Sequence, residues 1–209
     1  MISYQKILLL GLFLIFTSCY QNYQEIILPL NSSSQFESLL LDSDYTLAVF
    51  LYENVKEETL LFKIFSEFAL QNKDFIKSYA IDCSTIKNEP NRTDMDYLCL
   101  EYKESFPKIV FYQPYHFKFD PETGYKTKAK KYEYKGDMSI EDLTRFGQSI
   151  MPYFREILRS IADVERFANA TFTSSKAIFF RKSTEIPPHF KALTSLFRDR
   201  LSVYLLITF

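Results

Sequence analysis

The residues of this 209-residue chain that could do chemistry are few: Cys19, Cys83, Cys99, His116, His189 and a group of acids, Glu53, Glu57 and Glu58. A cysteine acts as nucleophile through its thiolate, which needs a lowered pKa, usually at a helix N-terminus or beside a cation. A zinc site wants four ligands, and the two histidines stand in different halves of the chain, so both read as surface residues and no metal is expected. A Ser or Cys triad lacks a histidine placed to serve it. With 4 Gly in the whole chain, no glycine-rich loop cradles a phosphate, and no cofactor is expected. The three glutamates read as a solvated helix start, favoured by the helix dipole.

The first residues are a leader rather than fold. Lys6 precedes an apolar run over residues 7–16 (ILLLGLFLIF), followed by Thr17, Ser18 and Cys19. A run of about ten apolar residues is too short to span a bilayer and has the layout of a secretory signal, cleaved after Cys19, so no stable membrane span is expected in the mature chain. An alternative is a bacterial lipoprotein signal acylated at Cys19, for which Phe16 fits poorly. Export makes three sequons legible as glycosylation sites: Asn31-Ser32-Ser33, Asn91-Arg92-Thr93 and Asn169-Ala170-Thr171. It also leaves two cysteines, and an even number in an oxidising compartment favours pairing.

Composition is that of a globular chain, 47% hydrophobic and 17% aromatic, with 21 Phe, 15 Tyr and no Trp. The net charge of −1 builds no basic field, and no nucleic-acid partner is expected. The lysine-rich stretch 126–135 (KTKAKKYEYK) reads as a solvated strand and its preceding loop.

Patterning supplies the elements. Residues 26–28 read as an edge strand stopped by Pro29, and residues 34–41 as a Ser-capped helix. The nearly continuous apolar run 45–52 predicts a central strand. Residues 60–69 predict a helix burying Leu60, Leu61, Ile64, Phe65, Phe68 and Ala69, with Lys63, Glu67 and Asn72 outside. Residues 76–82 close a βαβ unit. A short helix over 94–102, strands over 108–112 and 129–134, and a helix opening at Ser139 and carrying Ile140, Leu143, Phe146 and Ile150 inward complete a first unit. The pattern then restarts: helix 161–167, buried strand 177–181, helix 187–197 and strand 201–208.

In this order and spacing, residues 46–52 (TLAVFLY), 60–69 (LLFKIFSEFA), 79–83 (YAIDC), 105–110 (SFPKIV) and 132–136 (YEYKG) resemble a thioredoxin-like domain of the protein disulfide isomerase family. The resemblance covers roughly residues 46–150. It implies an α/β thioredoxin-like fold, a central mixed sheet flanked by helices, followed by the first half of a second such unit. The expected division is a signal peptide over 1–19, a thioredoxin-like domain over 25–152 and a partial second one over 156–209. Phe106-Pro107 corresponds to the family's cis-proline beside the active-site turn; a trans proline opening a strand is the plain alternative.

The departures bear on function. Where active members carry Cys-x-x-Cys, residues 53–59 read ENVKEET, with Lys56 and Thr59 at about the cysteine positions. Phe50 stands where the family keeps a buried proton-relay acid, and the second unit's turn, residues 182–185 (KSTE), is also free of cysteine. The resemblance implies a structural disulfide for Cys83 and Cys99; free buried thiols or a redox-active pair are the other readings. The expectation is a redox-inactive protein of the endoplasmic reticulum lumen, or one secreted, that holds client or partner polypeptides. They would lie in a groove lined by Val55, Phe106, Pro107 and Ile109, although Phe106 and Ile109 equally suit a core. The alternatives are a divergent disulfide isomerase with weak exchange through Cys83 and Cys99, or a bacterial lipoprotein of similar fold.

Overall fold

The structure, a computed structural model, describes residues 26–53, 60–85, 93–114, 128–153, 157–169, 175–183, 185–197 and 201–207. The expected leader, Val55, Lys56, Thr59, Asn91 and His116 lie outside them.

The first sheet is built around β2 (Thr46–Tyr52), whose run TLAVFLY is buried through Leu51. It runs parallel to β3 (Ile76–Asp82), which is flanked on its other side by the parallel edge strand β1 (Ile27–Pro29). On its far side β2 takes β4 (Lys108–Gln113) antiparallel, and β4 takes β5 (Lys130–Glu133), giving the order β1-β3-β2-β4-β5. Because strand side chains alternate, β2 feeds two cores. Leu47, Val49 and Leu51 join Phe36 and Leu40 of α1 (Ser33–Asp42) and Leu98 and Cys99 of α3 (Asp94–Glu101). Ala48 and Phe50 join Phe65 and Phe68 of α2 (Leu60–Asn72) and Leu143 of α4 (Ile140–Ser149).

Hydroxyl caps start three of these helices. The side chain of Ser32 accepts from the Gln35 amide at 3.3 Å and that of Ser139 from the Asp142 amide at 3.2 Å. Thr93 and Asp96 form a reciprocal capping box at the start of α3. Gly147 lets α4 lie close to the sheet: a Cβ there would stand 2.7 Å from Ile76 Cδ1 and 3.1 Å from Phe111 Cε1.

Two expectations for α2 are corrected. Leu60 is 71% exposed, because it opens the helix beyond the edge of the core. Asn72, expected outside, is 1% exposed. Its amide donates to Phe68 O at 2.9 Å and Thr144 Oγ1 at 3.1 Å, and its carbonyl accepts from Gln148 Nε2 at 3.3 Å. A polar residue on an inward stripe is tolerated because α4 supplies partners for both ends of its amide.

The second sheet holds β6 (Ile157–Leu158), β7 (Ser175–Arg181) and β8 (Leu201–Ile207), all parallel, in the order β6-β8-β7. That is the arrangement of β1-β3-β2, with α5 (Ile161–Asn169) and α6 (Pro188–Leu196) on opposite faces. Phe167 of α5 meets Tyr204 at 4.3 Å between ring centroids, and Phe190 of α6 meets Phe179 at 5.4 Å. Patterning missed β6, since two residues carry no period. The expected buried strand over 177–181 is corrected: Phe179 is 41% and Phe180 71% exposed. Among the described residues β7 pairs with β8 alone, whereas β2 also has β4 along its other edge.

The two sheets meet through α6. Ala192 is buried in the core around Phe50, the Lys191 ammonium donates to Gln148 O at 2.9 Å, and the Ser195 hydroxyl donates to Asp44 O. Burial pulls the Lys191 pKa below the usual lysine range.

Candidate functional site

At the end of the first sheet where β2 finishes lie Phe106 and Pro107, which precede β4, and Cys83, which follows β3. Leu51 pairs with Lys108, so the proline preceding β4 stands across from Tyr52, the last residue of β2. The Phe106-Pro107 peptide bond is cis. Phe106 and Pro107 are both half-buried, and Phe106 packs on the core that holds Cys83 and Cys99. Ile109 is wholly buried and belongs to the core around Phe50, so its side chain adds nothing to a surface groove.

Phe50, at the position of the expected relay acid, is 1% exposed. Its ring centroid lies 5.2 Å from Phe65, 5.8 Å from Phe62 and 6.0 Å from Tyr52. Phe50 is thus surrounded by aromatic carbon. An ionised carboxylate put there would be heavily penalised by desolvation. The spacing of Phe62, Phe65 and Phe68 on one helical stripe was the signal in the sequence for this sealed cluster.

Cys83 and Cys99 are joined, with Cα atoms 5.6 Å apart. The bond ties the single 3₁₀ turn Cys83–Thr85 after β3 to α3, and the two residues are 8% and 4% exposed. Thiol exchange proceeds by in-line approach of an external thiolate to a sulfur, which burial obstructs. Closing a loop of this size is worth about 3 kcal/mol in the chain-entropy model.

Beside the disulfide, Tyr102 is flanked by Lys108 and Lys131, whose ammonium groups stand 5.9 and 5.5 Å from its ring centre. Lys108 pairs with Glu133 at 2.5 Å and Lys131 with Glu101 at 2.5 Å. Burial, then the charges of Glu101 and Glu133 and a hydrogen bond to Glu101, push the Tyr102 pKa up to about 12. Hydrogen bonding from Lys108 holds Glu133 below the usual carboxylate range. Sequence reading missed this cluster, because its members come from α3, β4 and β5 and share no local pattern. It also accounts for much of the lysine-rich stretch: Lys128 pairs with Asp94, Lys131 with Glu101 and Lys135 with Glu133.

Of the expected glycan acceptors, Asn31 is exposed between β1 and α1, and Asn169 is exposed as the last residue of α5. No helix among the described residues is long and apolar enough to cross a membrane.

No protein-family model and no curated protein sequence matches the chain. Solved structures do. ERdj5, in its crystal form II, superposes with a TM-score of 0.50 at 15% identity over 94% of this chain and 24% of that one. The fold is thioredoxin-like. The zinc-bound form of human ERp44 superposes with a TM-score of 0.42 at 16% identity over 87% of this chain and 45% of that one. The first thioredoxin domain of mouse protein disulfide-isomerase A4 gives 0.40 at 17% identity over 59% and 74%. This chain therefore spans about a quarter of the ERdj5 length, as the 24% coverage states. Within the thioredoxin-like fold, the second sheet repeats the order of the first three strands of the first.

Proposed function

We propose that this is a redox-inactive, thioredoxin-like protein of the secretory pathway, resident in the endoplasmic reticulum lumen or exported, that holds client or partner polypeptides. The reading divides the chain into a signal over 1–19, a first unit over 25–152 and a partial second unit over 156–209. The observation that carries it is Phe50, 1% exposed and sealed among the rings of Phe65, Phe62 and Tyr52 in the unit whose β4 follows Pro107. The fold's shaped end is kept while the neighbouring position that would serve thiol chemistry is apolar. An extended segment would lie beside Pro107 by backbone hydrogen bonding, with Phe106 offering apolar contact.

The experiment is a pair of assays on the mature protein: insulin disulfide reduction and light scattering of an aggregating unfolded client. The expected result is no reductase activity above the uncatalysed rate together with slowed aggregation. Reductase activity that disappears in Cys83→Ser would reverse the assignment in favour of a divergent isomerase. Absence of any effect on aggregation would remove the holding role.

A further inference from the structure

Two sequons that lie far apart in the chain share a hydrogen bond. The Ser33 hydroxyl donates to Thr93 Oγ1 at 2.7 Å across sixty residues. Ser33 is the hydroxyl residue of Asn31-Ser32-Ser33, and Thr93 that of Asn91-Arg92-Thr93. The direction of the bond is set by Thr93, whose own proton goes to Asp96 Oδ2 at 2.6 Å while its oxygen also accepts from the Asp96 amide at 3.3 Å. Thr93 has no second proton to give, so the Ser33 proton is the one committed. The adjoining backbone is committed too. Ser32 caps α1 with φ −142° and ψ 143°, its side chain holds the Gln35 amide, and Ser33 begins the helix.

We propose that Asn31 is an N-glycan acceptor whose window closes on folding, because the Ser33–Thr93 bond withdraws the sequon's hydroxyl once α1 and α3 meet. This rests on the secretory reading above. In the transfer, the Asn31 amide nitrogen attacks C1 of an oligosaccharide carried on a polyprenyl pyrophosphate. The C–N bond forms as the C–O bond breaks, the pyrophosphate leaves with the electron pair, and the amide proton passes to a base of the transferase. Recognition of the sequon needs its hydroxyl residue two positions on. In the folded chain that hydroxyl is already spoken for, although Asn31 itself is exposed. The disulfide reinforces the closure, since Cys99 holds α3, and with it Thr93, against the core.

The test gives purified oligosaccharyltransferase and lipid-linked oligosaccharide to the folded, unglycosylated full chain and, as an unfolded reference, to a synthetic peptide of residues 26–40. Occupancy at Asn31 is read by mass spectrometry. The peptide is expected to be modified, and the folded chain about ten-fold more slowly, the factor for breaking one hydrogen bond of ordinary net strength. Thr93→Val should bring the folded chain back toward the peptide rate. Asp96→Ala, which loosens the cap of α3 but leaves the Thr93 hydroxyl beside Ser33 to bond it in either direction, should stay slow. A folded chain modified at the peptide rate, an unmodified peptide, or equal acceleration by Asp96→Ala and Thr93→Val would each overturn the proposal. If Thr93→Val does not fold, Thr93→Ala is read in its place with the same two outcomes. None of these arms depends on where the protein resides; failure of the chain to enter microsomes would instead sink the secretory reading.

Discussion

Tyr102 shows how single residues at the candidate site are tuned by what folding brings near them. In the unfolded chain its hydroxyl has the ordinary tyrosine pKa of 10.0; in the fold, burial and the charges of Glu101 and Glu133 push it up to about 12. Burial raises Tyr79, Tyr112 and Tyr134 in the same direction. A group whose folded pKa is raised contributes stability that is complete below its unfolded pKa and lost as pH climbs through the folded one. For Tyr102 the window runs from pH 10.0 to about 12. Denaturant melts should therefore show the wild type losing stability relative to Tyr102→Phe as pH rises across that window, with the offset between the two constant below it. A difference constant with pH would show that the hydroxyl is not the group responsible. Little of this was legible in the sequence. The position of Cys83, Cys99 and Pro107 could be read along the chain, but the surroundings of Tyr102 come from three elements.

At the scale of elements, the two parallel units make a controlled comparison. By strand position Leu51 of β2 matches Phe180 of β7, and both units have the same strand order. Leu51 is 0% exposed and Phe180 71%. The reason is cover rather than sequence: Leu51 lies in the core with Leu98 and Cys99 of α3 and Val110 of β4, which follow β3 in the chain. Leu51→Ala should lower unfolding stability by about 2–5 kcal/mol. Phe180→Ala should change it by no more than about 0.5 kcal/mol, despite the larger side chain removed. Chemical denaturation of both variants measures this, and a large loss from Phe180→Ala would mean that the β7 face is covered. The apolar run of residues 177–181 predicted a strand correctly and its burial incorrectly. A β-period reports which residues share a face, not whether anything packs on it.

At the scale of the molecule, α6 is the element through which the second sheet leans on the first. Ala192 inserts into the core around Phe50, between the Lys191 contact to Gln148 and the Ser195 contact to Asp44. Ala192→Arg places an uncompensated charge there. It is expected to lower stability by about 2 kcal/mol or more. It should also expose the segment after Met151 to protease before the first sheet opens, as mass mapping of early fragments would show. Cleavage that begins within the first sheet would refute the joint.

What the sequence determined by itself was local. The strand, helix and turn periods set the order of the elements, and the residue types left residues 53–59 without a thiol whatever the fold. Tertiary structure decided what depends on residues distant in the chain. It buried Asn72 by bringing Thr144 and Gln148 to it, left Phe180 in water, and joined the hydroxyls of Ser33 and Thr93. The physical reason is that periodicity is set by neighbours along the backbone, whereas burial and hydrogen-bond pairing are set by whichever elements arrive across space.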